Sequence, residues 1–202
     1  AFVDPQGLGR DDRLVPEILL KVYDSARCHL DPEGWLESCL RSAAVEDAAD
    51  ASETVWGRFL MDDLFSYLDA QLFVLQQCAD ALDASPGLEK PAVNIRDTLY
   101  QLQSLRESES WDAIVRRKAI DYGRLTFPKK NVDTDLIDRV KAARNACKKD
   151  LEKRLKVFAD PSEQVLSDLS QSGAGARGLI ALVRQFDRDY RSAKRSRRCL
   201  DF

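Results

Sequence analysis

Residues 52–84, SETVWGRFLMDDLFSYLDAQLFVLQQCADALDA, decide the fold class. Within them Met61, Phe65, Leu68, Leu72, Leu75, Cys78 (or Ala79) and Leu82 recur at steps of four and three. That near-heptad spacing puts one apolar stripe along a helix, and Val55, Trp56 and Phe59 extend it toward the N-terminus. At about 1.5 Å rise per residue the stretch makes a rod near 50 Å long, about eight turns, stopping before Ser85-Pro86-Gly87.

The same periodicity continues outward on both sides. Val15, Ile18, Leu19, Val22 and Ala26 predict a short helix over 14–29. Asp31-Pro32-Glu33 starts another, with a capping carboxylate, Pro at the first helical position and an acid near the positive end of the dipole. Beyond the turn at 85–87, Ile95, Leu99, Leu102 and Leu105 form one stripe, and Trp111, Val115, Ala119, Tyr122 and Leu125 a second. The polar interval Glu107-Ser108-Glu109-Ser110 reads as a bend or phase shift inside one long helix. After a tip at Phe127-Pro128-Lys129-Lys130-Asn131, a cap at Asp133 or Thr134 opens a helix with Leu136, Val140, Ala143, Cys147, Leu151, Leu155 and Phe158 on its apolar side. Asp160-Pro161-Ser162-Glu163 is a restart signal. Residues 171–178 are expected to interrupt the last helix flexibly before its stripe Leu179, Val183, Phe186 and Tyr190. No segment alternates as a strand would. The expected fold is all-α: long antiparallel helices forming an elongated helical bundle, with short N-terminal helices. The division is 1–48 (extended lead-in and two short helices), 49–198 (long-helix bundle) and a tail at 199–202.

A 44% hydrophobic, 32% charged composition suits folded amphipathic helices and argues against global disorder. No run of about 18 apolar residues occurs, so no membrane-spanning helix is expected. The start, Ala1-Phe2-Val3-Asp4, is neither a basic-apolar leader nor an initiating Met. Five cysteines (Cys28, Cys39, Cys78, Cys147, Cys199) without a CxxC pair read as reduced thiols, the first four as small apolar residues on helix faces, in a cytoplasmic setting.

Chemistry-bearing patterns are sparse. His29 is the sole histidine, which argues against a His-ligated metal cluster or a Cys–His dyad. Gly173-Ala174-Gly175-Ala176-Arg177-Gly178 matches GxGxxG, but a helical pattern precedes it where a dinucleotide site needs a strand. Asp62-Asp63 and Asp47/Asp50 read as solvated acids. Trp35, Trp56 and Trp111 read as core or dimer-contact residues. No metal, cofactor or catalytic constellation emerges, and the chain is expected to be non-enzymatic.

Charge supplies the one functional signal. Residues 116–156 hold fourteen lysines and arginines against six acids, net +8, whereas the 115 residues before them are net −13. The reading is a basic helical hairpin whose contact residues are Arg116, Arg117, Lys118, Arg124, Lys129, Lys130, Lys141, Arg144, Lys148, Lys149 and Lys153. Lys141, Arg144 and Lys148 fall at i, i+3 and i+7, one exposed stripe. Such a face suits an anionic lipid surface, an acidic protein partner or, less well because aromatic interleaving is missing, nucleic acid.

Three further features carry a resemblance: the long stripe at 52–84; a second arm from 92 through Arg116-Arg117-Lys118 and Asp121-Tyr122 to the tip at 127–132; and a return arm from 134 through Val140-Lys141-Ala142-Ala143-Arg144, kinked at Pro161, to Tyr190. Over residues 52–196 this pattern resembles a BAR-type domain. The resemblance implies three long, kinked helices, an antiparallel homodimeric crescent, and contact between the basic residues above and an anionic membrane at its periphery. The alternative reading is a helical scaffold or one component of a larger complex, with the basic arm docked on an acidic partner.

Overall fold

A computed structural model of the chain describes residues 14–45, 47–128 and 133–198. The expected lead-in at 1–12, the tip cations Lys129 and Lys130, and Cys199 with the tail lie outside the described residues. Seven α-helices account for most of the rest, and no strand occurs among the described residues. The fold is all-α. Two compact units divide it: one comprises Ala48–Val165, and the other combines the described residues before Ala48 with those from Leu166 onward.

The first unit is built on α3 (Val55–Asp83), the helix of the opening stripe. Thr54 caps it, its Oγ1 accepting from the Gly57 amide at 2.9 Å while donating to the Ala51 carbonyl at 2.7 Å. Glycine is obligatory at 57, since a Cβ there would lie 1.8 Å from the Ala51 oxygen. Met61, Leu64, Leu68, Leu75, Ala79 and Leu82 are buried, with Phe65 and Leu72 partly so. Two helices run antiparallel to α3. α4 (Glu89–Arg106) returns after the turn, burying Ile95, Leu99, Leu102 and Leu105, with Arg96 paired to Asp83 and Arg106 to Asp69. α6 (Thr134–Leu155) packs with Leu136, Val140, Cys147 and Leu151, with Arg154 paired to Asp63. The ion pairs are exposed and worth about 0–1 kcal/mol each, whereas one buried leucine contributes about 1.5–3 kcal/mol. Apolar burial therefore sets the packing, and the pairs fix its register.

The expected long second arm is not continuous. α4 ends at Arg106, Ser110 caps a separate seven-residue α5 (Trp111–Arg117) by accepting from the Ala113 amide at 3.2 Å, and residues 118–128 are non-helical. The break follows from Trp111. Its ring is buried 4.4 Å from Phe158, its indole N–H donates to the Asp160 carbonyl at 2.9 Å, and its amide donates to the Asp50 carboxylate at 3.0 Å. A helix continued straight from α4 would not bring Trp111 to these three partners. The basic segment is thus no helical hairpin: its first arm is one short helix and an extended run.

In the second unit, α1 (Leu14–Arg27), α2 (Pro32–Ala43) and α7 (Ser162–Arg197, from Leu166 onward) share a smaller core of Ala26, Leu36, Ile180 and Val183. Asp31 caps α2 as the sequence predicts, accepting from the Gly34 amide at 3.0 Å. Residues 171–178, expected to be a flexible interruption, are helical throughout. Each glycine costs a helix only about 1 kcal/mol, and α7 is 36 residues long with apolar contacts beyond the glycines. Of the tryptophans, Trp111 is buried, Trp35 is half-buried and stacked on His29, and Trp56 is 56% exposed. Cys28 is also exposed instead of lying on an apolar face.

Since a Cβ at Gly175 meets open space, Gly175→Ala is expected to stabilise α7 by about 0.4–1 kcal/mol. A higher urea midpoint in circular dichroism checks this; a lowered midpoint would restore the loop reading.

Candidate functional site

Residues 118–128 cross α4 and α6 without a ladder of their own, so their backbone polar groups need side-chain partners. Gln101 of α4 supplies a reciprocal pair, accepting from the Asp121 amide at 2.7 Å and donating to the Asp121 carbonyl at 2.8 Å. Asn94 donates to the Tyr122 carbonyl at 3.1 Å. From the α6 side Arg144 reaches the same carbonyl and donates to the Gly123 carbonyl at 2.8 Å. Gly123 takes φ +58°, a left-handed turn closed by the Asp121 carboxylate accepting its amide at 2.8 Å.

Aromatic rings on this segment gather the cations of α6. The Arg144 guanidinium and the Lys148 ammonium lie 5.5 and 5.7 Å from the Tyr122 ring centre, and Lys141 lies 5.4 Å from that of Phe127. Beneath the ring, the Tyr122 hydroxyl is 3.9 Å from Cys147 Sγ, and the Tyr67 hydroxyl donates to the Cys147 carbonyl at 3.2 Å. Burial pushes both phenols and the Cys147 thiol up from their ordinary values. All three stay neutral near pH 7, so Cys147 is a packing residue and not an activated nucleophile.

The expected contact residues separate into two groups. Lys118 is internal: its ammonium donates to the Phe158 and Ala159 carbonyls at 2.7 and 3.0 Å, closing the turn after α6. Arg144 is half-buried in the clamp just described, and burial lowers its affinity for a proton without discharging it. The expected exposed stripe of Lys141, Arg144 and Lys148 therefore loses its middle member. Arg116, Arg117, Arg124 and Lys149 are exposed, with Arg117 also donating to the Ser104 carbonyl at 2.9 Å. Lys141, Lys148 and Lys153 project from α6 in loose exposed pairs with Asp138, Glu152 and Asp150 at 3.4–4.0 Å. Together with Lys149 they form a broad outward arc of one helix.

Sequence reading missed Asn94 and Gln101, ordinary polar residues on a helix whose partners lie 20 or more positions away. The acids it weighed have local duties. Asp63 holds Arg154, and Asp50, which burial alone would raise, is drawn below the usual carboxylate range by hydrogen bonds from Ser52, Trp111 and Asp112. Among the described residues no group of three or more His, Cys, Asp or Glu could hold a metal ion.

No family model matches the chain. Individual proteins do. The chain is 28% identical over 204 residues, 97% of its length, to an ATP-dependent helicase/nuclease subunit of Acetivibrio thermocellus. It is 29% identical over 209 residues to the protein of the same name in Bacillus licheniformis, and 24% identical over 198 residues to that of Clostridium novyi. It spans only about a sixth of each relative, 16–17%.

These likenesses correct three expectations. The BAR-type resemblance does not stand, because the chain aligns almost end to end with part of polypeptides named for a different function. The membrane module, its homodimeric crescent and its peripheral-membrane placement fall with it. The non-enzymatic reading is corrected too, since the relatives are named as an enzyme. The physical source of the error is that a basic helix face matches any polyanion, and charge alone does not separate lipid from nucleic-acid phosphates. The alternative of one component within a complex is closer to the relatives' name. No described helix is long and apolar enough to cross a membrane.

The Tyr67–Tyr122–Cys147 cluster yields a pH dependence. Its folded-state values are raised, so its stabilisation is complete below the unfolded thiol and phenol values, about 8.5 and 10, and is lost as pH rises beyond them. Urea titrations at pH 7 and pH 10 are expected to show lower stability at pH 10, with Cys147→Ala flattening part of the decline. An unchanged slope in that variant would contradict the account.

Proposed function

We propose that this chain is a helical, nucleic-acid-contacting region of an ATP-dependent helicase/nuclease polypeptide. The observation that carries the reading is the alignment over 97% of the chain with such a protein. The geometry agrees: Lys141, Lys148, Lys149 and Lys153 occupy one outward arc of α6, whose other side is locked onto α3. We assign phosphate contact to that arc and to the exposed Arg116, Arg117 and Arg124. Lys118 and Arg144 hold the scaffold that presents them. Helicase and nuclease work both require a backbone to be gripped without regard to base sequence, and flexible ammonium groups on a rigid helix supply such contacts. The region works within a larger assembly, and a cytoplasmic setting suits it.

The test is fluorescence anisotropy of a labelled short DNA duplex titrated with the 202-residue chain across a salt series. Binding at low salt with a steep inverse salt dependence is expected. Combining Lys148→Gln, Lys149→Gln and Lys153→Gln should lower the log–log salt slope by about 2–3, near 0.9 per lost phosphate contact. A duplex left unbound at low salt would remove the proposal.

A further inference from the structure

The end of α7 carries an arginine at alternating steps of four and three: Arg184, Arg188, Arg191, Arg195 and Arg198. That spacing keeps all five on one face, over about 21 Å of helix at 1.5 Å per residue. Residues 177–198 hold eight lysines and arginines against two acids, Asp187 and Asp189. The helix dipole rewards cations only in the last turn, so it accounts for Arg195 and the residues after it but not for a stripe about four turns long.

The five arginines do different work. Arg184 bridges to Glu33 and Glu37 of α2, anchoring the helix, with both carboxylates holding its charge firmly in place. Arg191 pairs with Asp187 one turn back at 2.9 Å. Arg188 donates to the Gln185 side-chain oxygen at 2.6 Å, and Arg195 to the Arg191 carbonyl at 3.3 Å. Both are exposed, and among the described residues no carboxylate pairs with either. Arg198 is exposed just beyond the helix end. A cleft of about 410 Å³ lies beside the stripe, walled in part by Tyr23, Arg27, Arg188 and Arg191, but Asp31, Glu33 and Asp187 line it as well. Those acids make the cleft a poor anion site, so the outward stripe is the candidate surface.

Resting on the function proposed above, we propose that the outward arginines of α7 form a second track for nucleic-acid phosphates, separate from the lysine arc of α6. The choice of side chain supports phosphate as the ligand. Seven of the eight cations between 177 and 198 are arginine, whose planar fork meets a phosphate with two parallel hydrogen bonds, which an ammonium does not. Duplex DNA presents one charge per about 1.7 Å of axis, so arginines rising about 4.5–6 Å per step each find phosphates within reach. Anchoring by Arg184 holds the stripe in register before the ligand arrives, which lowers the ordering cost of binding.

The experiment uses the 202-residue chain and a short DNA duplex across a salt series. The variant combines Arg188→Gln, Arg195→Gln and Arg198→Gln, leaving Arg184 and Arg191 with their acidic partners. Affinity is expected to fall on the order of tenfold or more, and the salt slope by about 2–3. The matching triple Arg→Lys variant should keep the slope while losing part of the affinity, which a mere folding defect would not produce. If the unmodified chain binds and the triple Gln variant, with unchanged circular dichroism, keeps its affinity and slope, the second track is overturned alone. If the unmodified chain does not bind, the track and the proposed function fall together. If Gln and Lys variants weaken binding equally with no change in slope, the stripe acts through structure and the phosphate track is wrong.

Discussion

The burial of α3 on two sides is the constraint on which the larger unit depends. Its apolar residues cover an arc wide enough for two partners, and α4 and α6 both lie antiparallel along it. Removing a central residue such as Leu68 or Leu75, each fully buried, would open both interfaces at once. Leucine-to-alanine changes at such sites cost about 2–5 kcal/mol, comparable to much of a domain's net stability. Helix-to-helix burial is non-directional, so precision comes from elsewhere: exposed cross-helix ion pairs, the Thr54–Gly57 cap and the hydrogen bonds of Trp111.

Placing α4 and α6 on either side of one helix creates a connection problem. The chain must pass from the end of α5 back to the start of α6, and it does so as an extended run whose carbonyls are met by Asn94, Gln101 and Arg144. That solution, with the turn after α6, consumes two cations from the basic region. It also sets rings under two of the others, since Tyr122 and Phe127 face Lys148 and Lys141. The basic surface is therefore a by-product of a packed core on one side of α6 and available for contact on the other.

Much of this was legible in the chain itself. The stripes of α3, α4 and α6, the caps at Asp31 and Asp133, and the restart at Pro161 follow from local spacing and capping chemistry. The non-helical run at 118–128 did not, because Trp111, Val115, Ala119, Tyr122 and Leu125 happen to satisfy helical spacing while the partners that decide their conformation are distant. Glycines at 173, 175 and 178 read as punctuation although α7 absorbs them. The core shared by α1, α2 and α7 joins segments over 140 residues apart, which periodicity cannot connect. Counting charge located the cations, but only geometry shows that Lys118 and Arg144 are spent on backbone carbonyls.

Lysine acylation read by mass spectrometry, with and without a DNA duplex, tests the central claim most directly: that the basic face of α6 is a nucleic-acid contact presented by a rigid helical scaffold. The account predicts that the duplex protects Lys148, Lys149 and Lys153 while exposed Lys90 on α4 reacts as before. Equal modification of all four with and without the duplex would contradict it.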